Sequence, residues 1–187
     1  ACAAEENRFA IVVDFGDAPG APSAKTVTCV PVDSDDTASD ALVTRAKMLG
    51  RPVPRYNNAG LLCSIDGFPE SGCGERSAAG YRYWSYWFGG DNWSYASTGP
   101  AFHRAKPGGV TGWRFQPNGT ANASDPPPRA PARFGDLCPP VAAAATPPAT
   151  PTTVAAQRSS PPATAPPASA PVEAPAPAPD SIPGTTT

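Results

Sequence analysis

The chain has 187 residues and a formal net charge of −2 at pH 7, from 14 basic and 16 acidic side chains. It has no cluster of Lys and Arg of the kind that binds nucleic acid or anionic membranes, and no apolar run long enough to cross a bilayer. We therefore expect neither nucleic-acid binding nor a transmembrane segment in this sequence.

The 27 prolines are unevenly distributed, and their distribution divides the chain. Residues 139–187 contain 14 prolines and 14 alanines but no aromatic residue and no cysteine. Such a segment has too little apolar surface to offset the entropy lost on ordering. We predict a disordered Pro/Ala/Thr-rich stalk there, a single domain over residues 8–138, and a signal-peptide remnant or flexible N-terminus over residues 1–7.

The five cysteines predict disulfides rather than a metal site. The chain has one histidine and no Cys-x-x-Cys pair, which argues against a structural zinc site and against a thioredoxin-type redox centre. Disulfides persist in oxidising compartments. We therefore expect a secreted protein, extracellular or associated with the cell surface, with no metal and no cofactor.

The first cysteine, Cys2, leaves three interpretations open. Ala1-Cys2-Ala3 has the small-x-small pattern of a signal-peptidase site, in which case Cys2 is lost on maturation. Alternatively, Cys2 is a lipid-modified N-terminus, or it is a spare thiol in a frayed terminus.

Four cysteines remain in each of these cases, and they allow three pairings. Cys63 and Cys73 enclose a short loop with Gly and Pro, which readily returns its ends to within bonding distance. This pairing leaves Cys29 for Cys138, a bridge that would join the end of the domain to an early strand.

Two strands and a helix are predicted first along the chain. Apolar residues alternate over residues 8–15, which indicates a strand with one buried face, and the β-branched residues 25–32 predict its hairpin partner. A helix follows, capped by Thr37 or Ser39 and ended by Gly50 and Pro52. Its apolar stripe consists of Ala38, Leu42, Ala46 and Leu49.

Four more strands are predicted after the helix. They span residues 61–65, 81–88, 93–97 and 110–115, and residues 89–92 form a hairpin loop. One helix that covers one face of a mixed or antiparallel sheet is an α+β arrangement. The remaining segment, from Pro126 to Cys138, is predicted to cross the domain without regular structure.

The strand of residues 81–88 carries the strongest functional signal. Because side chains alternate, one face of it receives Tyr81, Tyr83, Ser85 and Trp87, and the other receives Arg82, Trp84, Tyr86 and Phe88. Only one face can meet the helix, and buried Tyr and Trp side chains need partners for their polar atoms. Either the rings form the core, or they form an exposed aromatic surface that binds a flat or ring-shaped ligand. The candidate ligand-binding residues are Tyr83, Trp84, Tyr86, Trp87, Trp93, Tyr95 and Trp113.

Catalytic motifs are weak. His103, Ser97 and Asp91 can be combined on paper into a catalytic triad, but no nucleophile-elbow sequence accompanies them. The glycine doublets at residues 89–90 and 108–109 lack the context of a phosphate-binding loop. We therefore expect that the protein is not an enzyme.

Four segments carry a family resemblance: CSIDGFP at residues 63–69, YWSYW at 83–87, WSYAS-x-G at 93–99, and G-x-x-x-G-W-x-F at 109–115. Over residues 8–115 the chain resembles the C-terminal β-domain of transcobalamin and intrinsic factor, and most of all the free-standing secreted actinobacterial relatives of that domain. The resemblance implies a β-grasp-like sheet and a corrinoid as the founding ligand.

These observations predict a secreted, non-catalytic binding module. It would present the aromatic sheet surface to a small ligand, with a corrinoid as one candidate, or to a protein or glycan of the cell surface. The alternative is a structural or interaction protein of the bacterial cell envelope, in which residues 139–187 are the working part. The sequence makes no prediction of oligomeric state.

Overall fold

A computed structural model describes residues 7–140 of the chain. The predicted N-terminal remnant up to residue 6, which includes Cys2, and the predicted stalk from residue 141 onward lie outside the described residues. The strands are β1 (Arg8–Asp14), β2 (Lys25–Pro31), β3 (Arg55–Tyr56), β4 (Leu62–Ser64), β5 (Glu75–Ser77), β6 (Gly80–Phe88), β7 (Ser94–Tyr95) and β8 (Val110–Gly119). The α-helices are α1 (Ala38–Met48) and α2 (Phe134–Leu137), and a 3-10 turn spans Pro100–Phe102.

The main sheet has the strand order β2-β1-β8-β6-β5, and β7 also pairs with β6. The β1–β2 and β6–β8 pairs are antiparallel, whereas β1 and β8 run parallel at the centre. Strands β3 and β4 form a separate two-stranded sheet. A hairpin, a helix and a parallel central pair make a β-grasp-like arrangement, so the predicted α+β class is confirmed.

Helix α1 begins at a capping box. The Asp40 N–H donates to the Thr37 hydroxyl at 3.2 Å, and the Thr37 N–H donates back to the Asp40 carboxylate at 2.9 Å. Of the two predicted caps, Thr37 is therefore correct. The predicted apolar stripe is wrong at Leu49, which follows the helix and is 44% exposed.

A buried arginine lies on the inward-facing side of α1, next to the buried Ala46. The Arg45 side chain is fully buried, and its two terminal nitrogens donate to the Asp66 carboxylate at 2.7 and 2.9 Å. A third hydrogen bond runs from Arg45 to the Thr26 hydroxyl at 2.8 Å. The Asp66 partner of Arg45 lies 21 residues away in sequence, so this ion pair joins α1 to the turn after β4.

Strand β8 extends four residues past its predicted end at residue 115. Its register to β6 shifts between Tyr81, which pairs with Gly119, and Tyr83, which pairs with Gln116. The extra residue on β8 is a bulge that includes Pro117, which has no N–H to donate to a ladder. The predicted end of the strand at residue 115 is therefore too early.

One face of the sheet packs on α1 and on the β3–β4 sheet to form the main core. This face carries alternate residues of β1, β6 and β8. Its largest members are Phe9, Ile11, Val13, Phe15, Trp84, Tyr86, Trp113 and Phe115.

Residues 126–138, which we call the strap, cover the second face of the sheet. The Gln116 amide donates to the Pro126 carbonyl at 2.8 Å, and the Arg114 guanidinium donates to the Pro127 carbonyl at 2.7 Å. The strap was predicted to lack regular structure, but its end forms the single helical turn α2. Its role as a cover for the sheet was not predicted, because its sequence has no apolar periodicity that indicates packing against a strand.

The carboxylate of Asp14, which is fully buried, fastens the strap to β1. It accepts hydrogen bonds from the Arg129 backbone N–H at 2.8 Å, from the Arg129 guanidinium at 2.8 Å, and from the Gly16 N–H at 2.9 Å. Burial raises the pKa of Asp14, but the hydrogen bonds from Arg129 and Gly16 outweigh burial and hold this pKa below its ordinary value.

Two disulfides close the domain, and both predicted pairings are confirmed. Cys29 of β2 is bonded to Cys138 at the end of the strap, and Cys63 of β4 is bonded to Cys73 in the loop before β5. The first bridge spans 109 residues, so it restricts the unfolded chain more than the second, which spans 10. No helix within residues 7–140 is both long and apolar enough to cross a membrane.

We predict that Asp14→Asn lowers the free energy of unfolding by about 2–3 kcal/mol at pH 7, because the charged partner of Arg129 is lost inside the protein. The contribution of Asp14 is present above its unfolded pKa of about 3.9 and is lost as the pH falls through the lower folded value. The gap in Tm between the variant and the wild type should therefore close below about pH 4.

The matched control is Asp17→Asn, which removes the other carboxylate bonded to Arg129. The Asp17 side chain is 89% exposed, so its loss should cost at most about 1 kcal/mol. Equal costs for the two variants would contradict the assigned role of Asp14.

Glycine is required where the strap and Trp93 approach β8. A Cβ at Gly112 would lie 2.7 Å from Cγ of Pro128 and 2.8 Å from the Trp93 ring. We predict that Gly112→Ala costs about 1–3 kcal/mol by overpacking, as measured by thermal unfolding. Gly135→Ala is the control, because a Cβ there meets no atom within 4 Å and its Tm should stay within about one degree of the wild type.

Candidate functional site

The seven aromatic residues proposed as ligand-binding lie on both faces of the sheet. Trp84, Tyr86 and Trp113 belong to the core face. Alternation along β6 and β7 places Tyr83, Trp87 and Tyr95 on the second face, and Trp93 packs against the strap there.

The expected exposed aromatic surface is wrong for four of these side chains. Trp84 and Trp87 are each 4% exposed, Tyr86 is 6% exposed, and Trp113 is fully buried. The helix and the β3–β4 sheet cover the first face, and the strap covers the second. The other three, Tyr83, Trp93 and Tyr95, are half-buried.

A cleft remains where the sheet edge is interrupted. Strand β5 pairs with β6 at residues 80–82, and β7 pairs with it at residues 87–88, so residues 83–86 have no strand partner on that edge. The cleft has a volume of about 160 Å³ and lies between residues 60–62 and residues 96–100. We call it the edge cleft. It brings together five of the seven predicted residues: Tyr83, Trp84, Tyr86, Tyr95 and Trp113.

Three side chains that line the edge cleft carry buried polar atoms without a hydrogen-bond partner. These atoms are Nε1 of Trp84, Nε1 of Trp113 and the hydroxyl oxygen of Tyr86. The indole N–H groups are donors only, and a buried donor left without an acceptor costs about 1–3 kcal/mol. The edge cleft is therefore lined by side chains that hold two unpartnered donors and one unpartnered hydroxyl.

The two indole N–H groups of the second face have hydrogen-bond acceptors, in contrast to those of Trp84 and Trp113. Trp87 Nε1 donates to the Ser85 hydroxyl at 2.9 Å, and Trp93 Nε1 donates to the Ala130 carbonyl at 2.8 Å. The Ser85 hydroxyl in turn donates to the Arg114 carbonyl and accepts from Gln116. The indole N–H groups of these two tryptophans are therefore bonded within the protein, and the sequence pattern alone did not separate them from those of Trp84 and Trp113.

Ring contacts fix the orientation of the cleft-lining side chains. Trp84 meets Phe15 and Phe115 edge-on, with ring centroids 5.4 Å apart in both pairs. Tyr86 stacks on Trp113 at 5.1 Å with an angle of 27° between the planes. Such contacts favour a preformed site rather than one that forms around a ligand.

The phenols of Tyr83 and Tyr86 stay protonated at physiological pH. Burial raises the pKa of Tyr86, and burial together with a hydrogen bond to Asp125 raises that of Tyr83. Burial also acts to raise the pKa of Asp125, but hydrogen bonds from Tyr83, Thr120 and Ala121 hold it below its ordinary value. The Tyr83 and Tyr86 hydroxyls at the edge cleft are therefore neutral.

The three residues His103, Ser97 and Asp91 are not joined by hydrogen bonds within residues 7–140. His103 Nε2 lies 3.0 Å from the Thr98 hydroxyl, and Asp91 forms an ion pair with Arg133 at 2.9 Å. No hydrogen bond joins His103 to Ser97 or to Asp91 in this part of the chain. Among the same residues, no group of three or more His, Cys, Asp or Glu side chains is placed to hold a metal ion.

The sequence matches the model of one known protein family. Residues 1–78 and 76–167 match the model of the SCO2322-like domain. The chain belongs to the SCO2322-like domain family. No curated protein matches the sequence. The two matched segments of the SCO2322-like domain meet just before β6, so the edge cleft combines loops from both segments. The resemblance to the transcobalamin C-terminal domain stays a prediction.

Two tyrosines of this SCO2322-like domain allow a matched test of the unpartnered groups. Tyr83→Phe removes a hydroxyl that donates to the Asp125 carboxylate, so we predict a loss of about 1–2 kcal/mol in the free energy of unfolding. Tyr86→Phe removes a buried hydroxyl without a partner, so the free energy of unfolding should stay the same or rise by up to about 1 kcal/mol. Chemical denaturation measures both. A larger loss for Tyr86→Phe than for Tyr83→Phe would show that the Tyr86 hydroxyl has a partner in solution.

Proposed function

We propose that this protein is a secreted, non-catalytic binding module that takes a small ring-shaped ligand with hydrogen-bond acceptors into the edge cleft. The observation that carries the proposal is the group of unpartnered polar atoms on Trp84, Trp113 and Tyr86, all on side chains that line one cleft. Carbonyl, ether or hydroxyl oxygens of a ligand supply the acceptors that two buried indole N–H groups lack.

The size of the edge cleft limits the ligand. Its volume of about 160 Å³ is close to the roughly 150 Å³ cavity that holds benzene, and below the roughly 300–1,000 Å³ of sites that enclose a drug-sized molecule. One ring, or one ring of a larger molecule, fits this space. A corrinoid is too large to enter as a whole, so its contact with the edge cleft would be through a peripheral amide group.

The two disulfides support secretion. The Cys29–Cys138 and Cys63–Cys73 bridges are typical of proteins from oxidising compartments.

The four tryptophans provide the test, because the indole N–H signal of each can be followed by NMR in one ¹⁵N-labelled sample. Cyclohexanone, N-acetylglucosamine and cyanocobalamin are added in turn as probes. The first two are used at about 10 mM, which is ten times the dissociation constant of a ligand with a binding free energy of about −4 kcal/mol. We predict that a bound ring shifts the signals of Trp84 and Trp113. The signals of Trp87 and Trp93 should stay in place, because their N–H groups already have partners.

A blocking variant adds a second measurement. Ser97 is exposed and lines the edge cleft, so Ser97→Leu should fill the cleft and weaken binding by about tenfold or more without lowering Tm. Ser94→Leu, on an exposed position of β7 outside the cleft, is the control and should bind as the wild type does. Equal shifts of all four indoles, or none with any probe, would contradict the proposal.

One observation favours a different function. The helix and the strap bury both faces of the sheet, so the aromatic set serves the core, as expected of a structural or interaction protein of the cell envelope. In this second proposal, residues 139–187 retain the domain at the envelope. Deletion of the tail should then release the domain into the medium, which fractionation of the cells would detect. If the protein is a ligand-binding module instead, the tail-deleted form should keep its NMR response to the probes.

A further inference from the structure

A second cleft is lined by the chain that follows the 3-10 turn, and its chemistry differs from that of the edge cleft. Its volume is about 190 Å³. We call it the basic cleft, and its principal lining residues are Phe9, Tyr86, Phe88, His103, Lys106 and Thr111. Only Tyr86 is shared with the edge cleft.

Aromatic rings form the apolar wall of the basic cleft. The Phe88 and His103 rings meet edge-on with centroids 4.3 Å apart, and Tyr86 lies 5.3 Å from Phe88. Because the rings pack on each other, the wall is ordered without a ligand. The volume exceeds the roughly 150 Å³ that holds a benzene molecule, so a six-membered ring with one substituent fits.

Buried polar atoms without partners point to a ligand here as well. Thr111 is 3% exposed, and its hydroxyl has no hydrogen-bond partner. The Nδ1 atom of His103 is also buried and unpartnered, while Nε2 of the same ring contacts Thr98. A hydroxyl and an imidazole nitrogen can both donate to a carboxylate oxygen.

The charge of the basic cleft comes from Lys106. The Lys106 side chain is exposed and has no hydrogen bond or ion pair with any side chain or carbonyl of residues 7–140. Arg104 also lines the cleft, but it is already engaged by Asp35, with a carboxylate contact at 3.5 Å. A single cation therefore remains free to meet a single negative charge.

We propose that the basic cleft binds a small cyclic or aromatic carboxylate. The ring packs on Phe88 and Phe9, and the carboxylate accepts hydrogen bonds from the Thr111 hydroxyl and the Lys106 ammonium group. This site is separate from the function proposed for the edge cleft, because its ligand is an anion and its polar groups, apart from Tyr86, belong to other residues.

Benzoate is the probe, and benzamide is its neutral counterpart of the same shape. Each is titrated into the ¹⁵N-labelled full chain at low salt, and the backbone amide signals of Gly109, Val110 and Thr111 are followed. We expect benzoate to shift these signals and to bind at least about fivefold more tightly than benzamide, since a charge-assisted hydrogen bond is roughly twice as strong as a neutral one. Equal affinities, or no shift of these signals, would overturn the proposal.

Two variants separate a ligand-binding role from a structural one. Thr111→Val replaces an unpartnered hydroxyl by a methyl group of similar size, so it should weaken benzoate binding about fivefold while Tm stays the same or rises. Lys106→Gln should weaken benzoate binding about fivefold and leave benzamide binding unchanged. Lys47→Gln, on the exposed end of α1, is the control and should change neither affinity.

The outcomes are distinct from those for the edge cleft. Benzoate in the basic cleft should leave the indole signals of Trp84 and Trp113 in place, and Ser97→Leu should bind benzoate as the wild type does. Benzoate binding that neither Thr111→Val nor Lys106→Gln weakens would place the anion elsewhere and refute the basic cleft as its site.

Discussion

A single helix of 11 residues can cover only one face of this sheet, so the other face must be buried by chain without regular structure. The strap meets that requirement. Its backbone carbonyls accept from Gln116, Arg114 and Trp93, and Asp14 binds Arg129 at the middle of it. A backbone that satisfies its polar groups through side chains of the sheet can lie over an apolar surface at low cost. The buried state of the aromatic residues follows from this cover.

The strands and helix were largely predictable because their signals are local. Alternation of apolar residues predicted β1, a run of aromatic residues predicted β6, and the choice of Thr37 or Ser39 as cap predicted the start of α1. The disulfide pairing followed from loop lengths. The two-residue strand β3 and the exposed strand β5 were missed, because neither has room for an alternating pattern.

Contacts distant in sequence were not predictable in the same way. The strap reaches Asp14 across 115 residues, and Arg45 reaches Asp66 across 21, so no window of sequence contains either pair. The candidate site shows the same limit. The aromatic strands were visible as a set, but the acceptor of the Trp93 indole N–H is the Ala130 carbonyl, 37 residues away in sequence.

The two faces of the sheet differ in how many buried polar atoms lack a hydrogen-bond partner. On the strap side, donors and acceptors are matched closely, as in a part that serves stability. On the core side, near the loop of residues 96–109, the described residues leave Trp84, Tyr86, Trp113, His103 and Thr111 with unmatched polar atoms. These five residues line the two clefts, and only two other residues in the described part of the chain have such atoms. The clefts are therefore the places where another molecule would improve the hydrogen bonding.

The Cys29–Cys138 bridge has a mechanical consequence. Tension applied to the chain beyond Pro140 passes through the sulfur atoms into β2, the edge strand farthest from β6 in the strand order, and not along the strap. The cover over Trp87 thus carries no load. A surface or carrier attached at that point would hold the domain by one edge and leave the opposite edge, with its interrupted pairing, facing away from the attachment.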